Sequence, residues 1–185
     1  MEKTSVERDL INALRAKGWR MAAAESCTGG RIAQRITAVP GASDVFSGSM
    51  VSYSCETKQS ALGVRAETLD THGAVSEETA REMASGALRI TEADVAVSTT
   101  GVAGPGGGTA DCPVGTVCFG LALRNSGEVF SVRVQFDPTA EREEICGMAA
   151  TYAIGWVMDA VRGEGRFVNQ KPHVAAGASP RPTPK

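Results

Sequence analysis

Short β-branched runs alternate with helix-spaced apolar patterns through the first half of the chain, and one hairpin signal follows them. This alternation is what most limits the fold. Parallel neighbouring strands need long crossovers, helices supply them, and the helices then cover both faces of the sheet. Apolar spacing predicts helices over residues 4–16, through Ile32, Ala33, Ile36 and Val39, and over 55–62, 75–90 and 139–161, with a short helical turn at 65–71. Strands are predicted over 19–24, 46–54, 94–100, 114–124 and 129–136, the last two joined by the turn Asn125-Ser126-Gly127. Thr4 with Glu7 reads as a capping box, and Gly18 and Gly63 as helix stops. Ser76 reads as an N-cap, with Glu77 and Glu78 at the positive end of the helix dipole. Together these features predict an α/β fold: one three-layer α/β/α domain with a mixed sheet over residues 1–162. Residues 163–185 contain Pro172, Pro180, Pro182 and Pro184 and few apolar side chains, the composition of a disordered tail.

Charge narrows the function. The 185 residues carry 19 Lys and Arg against 21 Asp and Glu, a net charge of -2. A protein built to grip nucleic acid needs a basic surface, so that class is disfavoured. No apolar run is long enough for a membrane span. The N-terminal segment, with Glu2, Lys3, Glu7, Arg8 and Asp9, lacks the apolar core of a secretory leader, and a cytoplasmic location is expected. Cys27, Cys55, Cys112, Cys118 and Cys146 are odd in number and form no C-x-x-C, as free thiols in a reducing compartment do. The two histidines, His72 and His173, sit in no metal-ligand pattern, so no metal is expected.

Three segments can carry chemistry. The first is Glu25-Ser26-Cys27-Thr28-Gly29-Gly30, between a strand and a helix. A helix N-terminus offers unpaired N–H groups to an anion, and glycines let a ligand approach the backbone. Ser26 at the top of the strand is a candidate nucleophile; the structural alternative is that Ser26 or Thr28 only caps the helix. Cys27 is the rival nucleophile, because a helix N-terminus lowers a thiol pKa. Adjacent residues point in different directions, so one of the two faces a ligand. A shortage of histidines weakens a Ser-His-Asp or Cys-His arrangement and leaves lysine as the base. The second segment, Tyr53-Ser54-Cys55-Glu56-Thr57-Lys58, supplies one. Lys58 can act as a base only if burial or a nearby cation destabilises its ammonium form; the alternative is a solvent-facing helix lysine. The third segment runs from Thr99 and Thr100 through Gly101, Gly104 and Gly106-Gly107-Gly108. It matches neither the Walker nor the dinucleotide pattern, yet such a loop can aim several N–H groups at one oxyanion or phosphate.

The motifs A-E-S-C-T-G-G, V-S-Y-S-x-E-x-K, H-G-A-V-S, T-G-V-A-G-P-G-G-G and P-V-G-T-V occur in that order. The chain thereby resembles the CinA C-terminal-domain family from its first helix to about Ala160. Characterised members are nicotinamide mononucleotide deamidases. The resemblance implies an α/β amidohydrolase of pyridine nucleotide salvage that needs no cofactor and commonly dimerises. It implies Ser26 as nucleophile, Lys58 as base and Tyr53 as a site tyrosine. Thr28, Gly29, Gly30, Thr100, Gly101, Gly104 and Arg142 fall in its substrate-binding segments. Some members carry an additional N-terminal domain, and this chain looks like the stand-alone form. Cys146 stands where many members have an arginine, and Cys55 where a polar residue is frequent. If that arginine touches substrate, its replacement implies weak nicotinamide mononucleotide binding or another small amide as substrate. The competing expectation is a non-catalytic regulatory or binding protein, since a fold can outlive its activity.

Overall fold

A computed structural model of the chain describes residues 5–163 and the backbone at 173–174. The elements are α1 (Val6–Lys17), β1 (Met21–Glu25), α2 (Arg31–Thr37), β2 (Phe46–Val51), α3 (Cys55–Leu62), α4 (Ala66–His72), α5 (Glu77–Thr91), β3 (Val95–Gly101), β4 (Thr116–Leu123), β5 (Glu128–Gln135), α6 (Arg142–Arg162) and β6 (His173–Val174). The sheet has the order β2-β1-β3-β4-β5-β6. The first three strands in this order are parallel, and the rest pair antiparallel. The expected mixed sheet and three layers are therefore present.

The sheet's two faces differ in side-chain size. Met21, Val95, Val97, Val117, Phe119 and Leu121 point into a core shared with α1, α2 and α6. Ala22, Ala24, Ala96 and Ala122 point the other way, under α5. Small residues let that helix approach closely: Ser98 Oγ donates to the Ala80 carbonyl at 2.6 Å. A Cβ at Gly120 would collide with the same Ala80 carbonyl. Nearly two turns further along α5, a Cβ at Gly86 would collide with the Leu62 carbonyl of α3. The sheet, α5 and α3 thus meet backbone to backbone.

Element ends follow the sequence signals, with revisions at α1, α6 and β2. Gly18 and Gly63 close α1 and α3 in the left-handed conformation, and Ser76 caps α5 by accepting from Thr79 N. The N-cap of α1 is Ser5, which accepts from Arg8 N; Thr4 lies outside the described residues. The last helix starts at Arg142, not Thr139, because Asp137 Oδ1 draws the Thr139 amide and hydroxyl into a turn. Glu141 and Glu144 then form the capping box. Strand β2 stops at Val51 because Ser54 is already the cap of α3. The expected tail lies outside the described residues, save Gly163, which caps α6, and His173–Val174, which pair with β5.

Candidate active site

The parallel strands β2, β1 and β3 end at one edge of the sheet, the usual position of a crevice in open α/β folds. Register aligns Val51, Glu25 and Thr99 across the three strands. Ser52, Ser26 and Thr100 therefore follow side by side. Backbone bonds hold the row together: Ser26 N donates to Thr99 O at 3.0 Å and Ser52 N to Glu25 O at 2.8 Å.

Glu25 organises the turn after β1. Its side chain is fully buried. One carboxylate oxygen accepts from Thr28 Oγ1, Gly30 N and Ile32 N, the other from Ala33 N and Ser49 Oγ, all within 3.1 Å. The start of α2 has no side-chain cap of its own, since Gly30 stands at the N-cap position. Glu25 replaces it and places a negative charge at the positive end of the helix. This revises the expectation of free N–H groups there for a ligand anion. Gly29 N donates to Ser26 O and Arg31 N to Thr28 O, so the neighbouring amides are used as well. Both glycines have positive φ, 59° and 96°, which the tight turn requires. The Thr28 hydroxyl is buried between Glu25 and Thr99, at 2.8 Å from each. Sequence reading gave Glu25 no role. The available signal was a carboxylate ending a strand of small residues, ahead of a helix that begins Gly-Gly.

Lys58 comes from the first turn of α3 to the other face of the row. Nζ lies 2.9 Å from Ser26 Oγ and 2.8 Å from the Ser52 carbonyl. The residue is 1% exposed, among the largest fully buried side chains of the molecule. No ion pair to it occurs among the described residues. Desolvation by burial holds its pKa below the ordinary lysine value, while the thiols of Cys55 and Cys27 pull the other way. The condition for a lysine base, a destabilised ammonium, is thus met by burial.

The rival nucleophile fares differently. Burial, reinforced by the neighbouring Cys146, pushes the Cys27 thiol up to about 12, so it is no thiolate at neutral pH. Cys146 is itself buried, and its thiol donates to the Cys27 carbonyl at 3.0 Å. It packs against the turn that carries Ser26 and Cys27. The expectation of weak nicotinamide mononucleotide binding, or of another small amide, holds only if an arginine at this position touches substrate; Cys146 itself is a core residue. Cys55 is exposed.

Three further expected residues meet at the surface. Arg142 donates to the Tyr53 hydroxyl and to the Gly104 carbonyl, both at 2.8 Å. Tyr53 is 65% exposed and directly follows Ser52. Thr100 is turned inward, its hydroxyl donating to Ala74 O at 2.6 Å, and Gly101 is the last paired residue of β3 rather than part of the loop. His72 is exposed at the end of α4, 4.0 Å from the Glu78 carboxylate. Among the described residues, no group of three His, Cys, Asp or Glu is placed to hold a metal ion, and no helix is long and apolar enough to cross a membrane.

Known proteins agree with this architecture. A CinA-like protein of Chloroherpeton thalassium is 57% identical over 117 residues, 63% of this chain and 28% of that protein. A protein of Enterobacter agglomerans named nicotinamide-nucleotide amidohydrolase PncC is 48% identical over 142 residues, 77% of this chain and 85% of its own. The chain spans about a third of the length of several other curated relatives, named CinA-like or putative competence-damage inducible proteins. The crystal structure of competence/damage inducible protein CihA from Agrobacterium tumefaciens superimposes with a TM-score of 0.81 at 39% identity, covering 85% of this chain and 93% of that one. The family model described as the CinA C-terminal domain matches residues 3–161, and the chain belongs to that family.

Proposed function

We propose that the chain is an amidohydrolase that converts nicotinamide mononucleotide to nicotinic acid mononucleotide and ammonia, with Ser26 as nucleophile and Lys58 as base. The observation that carries this reading is the 2.9 Å contact between Ser26 Oγ and a buried Nζ that, among the described residues, has no carboxylate to hold it charged. The Ser26 proton passes to the Nζ lone pair as Oγ attacks the carboxamide carbon. The tetrahedral oxyanion collapses, Lys58 returns the proton to the departing nitrogen, and ammonia leaves an acyl-enzyme. Water, deprotonated by the same Nζ, then releases the acid. With the α2 N-terminus occupied by Glu25, Arg142 at the exposed mouth is the group we assign to the nucleotide phosphate. The 48% identity to a protein named nicotinamide-nucleotide amidohydrolase supports the choice of amide.

The test measures ammonia and nicotinic acid mononucleotide formed by the wild type, Ser26→Ala and Lys58→Ala. Turnover by the wild type and its loss in both folded variants is expected; a general base contributes about 10²–10⁴-fold. A folded wild type that leaves the amide intact rejects this substrate. Full activity in Ser26→Ala removes Ser26 as nucleophile.

A further inference from the structure

Ser52 is fully buried, and its Oγ has no hydrogen-bond partner among the described residues. The hydroxyls of the neighbouring strand ends are engaged: Ser26 with Lys58, Thr28 with Glu25 and Thr99, and Thr100 with Ala74 O. A buried hydroxyl without a partner is costly, and each one in a native structure calls for a physical reason. Ser52 already holds Lys58, because its carbonyl accepts from Nζ at 2.8 Å. Its hydroxyl is a few bonds from that carbonyl, and rotation about χ1 swings it relative to Nζ.

The hydrogen inventory of Nζ gives the unpaired hydroxyl a use. A neutral amine places one N–H on the Ser52 carbonyl and offers its lone pair to the Ser26 proton. Once it has taken that proton, the ammonium has three donors. One stays on the Ser52 carbonyl, one faces Ser26 Oγ, and the third has no acceptor in the resting arrangement. A leftover donor is most costly when it carries charge. We propose that Ser52 is a positioning residue of the Ser26–Lys58 pair, its Oγ accepting the third N–H of Lys58 when Nζ becomes an ammonium. The proton moves only from Ser26 Oγ to Nζ; Ser52 keeps its own. This inference rests on Lys58 acting as base in the reading above.

Other groups also bear on Lys58. Cys55 on α3 and Cys27 in the turn after β1 favour its charged form. Glu25 and Tyr53 flank Ser26 and Ser52 in the chain. From α5, which packs on α3, Arg89 reaches the Leu62 carbonyl at the far end of α3. Each of these is unchanged in the variants below.

Removing Oγ in Ser52→Ala withdraws an acceptor specific to the charged form, so the Lys58 pKa falls. The rising limb of kcat against pH moves to lower pH, and kcat falls about ten-fold, the scale of one hydrogen bond to a charged group. Tm stays level or rises, because a buried unpaired hydroxyl has gone. Ser52→Thr keeps Oγ and restores both rate and limb; Ser52→Cys, close in volume but a weaker acceptor, shifts them as alanine does. A ¹³C NMR titration of the Lys58 Cε resonance, assigned with Lys58→Met, reads the same shift with no substrate present. A lowered Lys58 pKa in Ser52→Ala supports the proposal even if the protein hydrolyses no amide, an outcome that rejects the amidase reading alone. An unchanged Lys58 titration and pH limb in both Ser52→Ala and Ser52→Cys overturns it.

Discussion

Glu25 and Lys58 are both buried ionisable residues at the end of one strand, on opposite sides of it, and they are treated in opposite ways. Glu25 receives hydrogen bonds on both carboxylate oxygens, from three amides and two hydroxyls. Its charge replaces a missing helix cap, and its position is over-determined. Lys58 meets two neutral oxygens and, among the described residues, no carboxylate. Burial therefore works against its charge and lowers its pKa. A buried charge with many fixed partners builds a turn, whereas a buried amine with few partners has a destabilised charged form, as the proposed base requires. The two are connected, because the carbonyl of Glu25 accepts from the amide of Ser52, whose own carbonyl accepts from Lys58.

The contrast can be broken from either side. The largest effect is expected from Lys58→Met, which keeps the apolar stem and removes the amine. Amide hydrolysis falls by about 10²–10⁴-fold, while thermal stability rises. The sign follows from the lowered pKa of Lys58. Below its folded-state value both folded and unfolded chains are protonated, and the folded state bears the whole cost of a buried charge. Between that value and the ordinary lysine value the unfolded chain binds more protons, so wild-type stability climbs with pH. The Tm advantage of Lys58→Met is therefore largest at low pH and shrinks as pH rises toward the ordinary lysine range; an advantage that grows with pH contradicts the comparison.

Glu25→Ala is the mirror experiment. It leaves the amides of Gly30, Ile32 and Ala33 without their acceptor, at a cost of about 3 kcal/mol or more in a urea titration. Activity falls with it, because the turn carrying Ser26 loses its anchor. Glu25→Gln retains one acceptor oxygen and is expected to recover part of the stability. The smallest effect belongs to Thr28→Val, which removes one bridging hydroxyl and costs about 1 kcal/mol in the same titration. A Thr28→Val loss as large as that of Glu25→Ala would show that the hydroxyl chain, not the carboxylate, holds the turn.

Much of this was legible beforehand. Alternating patterns give the layers, and the caps Gly18, Gly63 and Ser76 mark helix ends because their chemistry is local. Ser26 and Lys58 stand out by residue type, and the structure brings them within hydrogen-bonding distance. What could not be read were properties that depend on contacts distant in sequence. Burial of Lys58 depends on α3 lying against the sheet. The choice between Ser26 and Cys27 depends on which way the turn faces, and α6 supplies Cys146 to that decision. Glu25 looks like any polar residue in a glycine-rich turn until α2 and β2 deliver their donors to it. Cys146 invites comparison with a family arginine in one dimension and is a core residue in three.

The contacts at Gly120 and Gly86 bear on how accurately Nζ is placed. Sheet, α5 and α3 are stacked with no side chain interposed at these two points. Side-chain layers yield by changing rotamer; main-chain layers in direct contact do not. The stack therefore acts as a mechanical datum, fixing the height of α3 above the strand ends. A single methyl at either glycine works like a shim, lifting α3 and taking the amine away from Ser26 although neither substitution touches the site. Variation at these positions is thus expected to be as constrained as at Ser26 and Lys58 themselves.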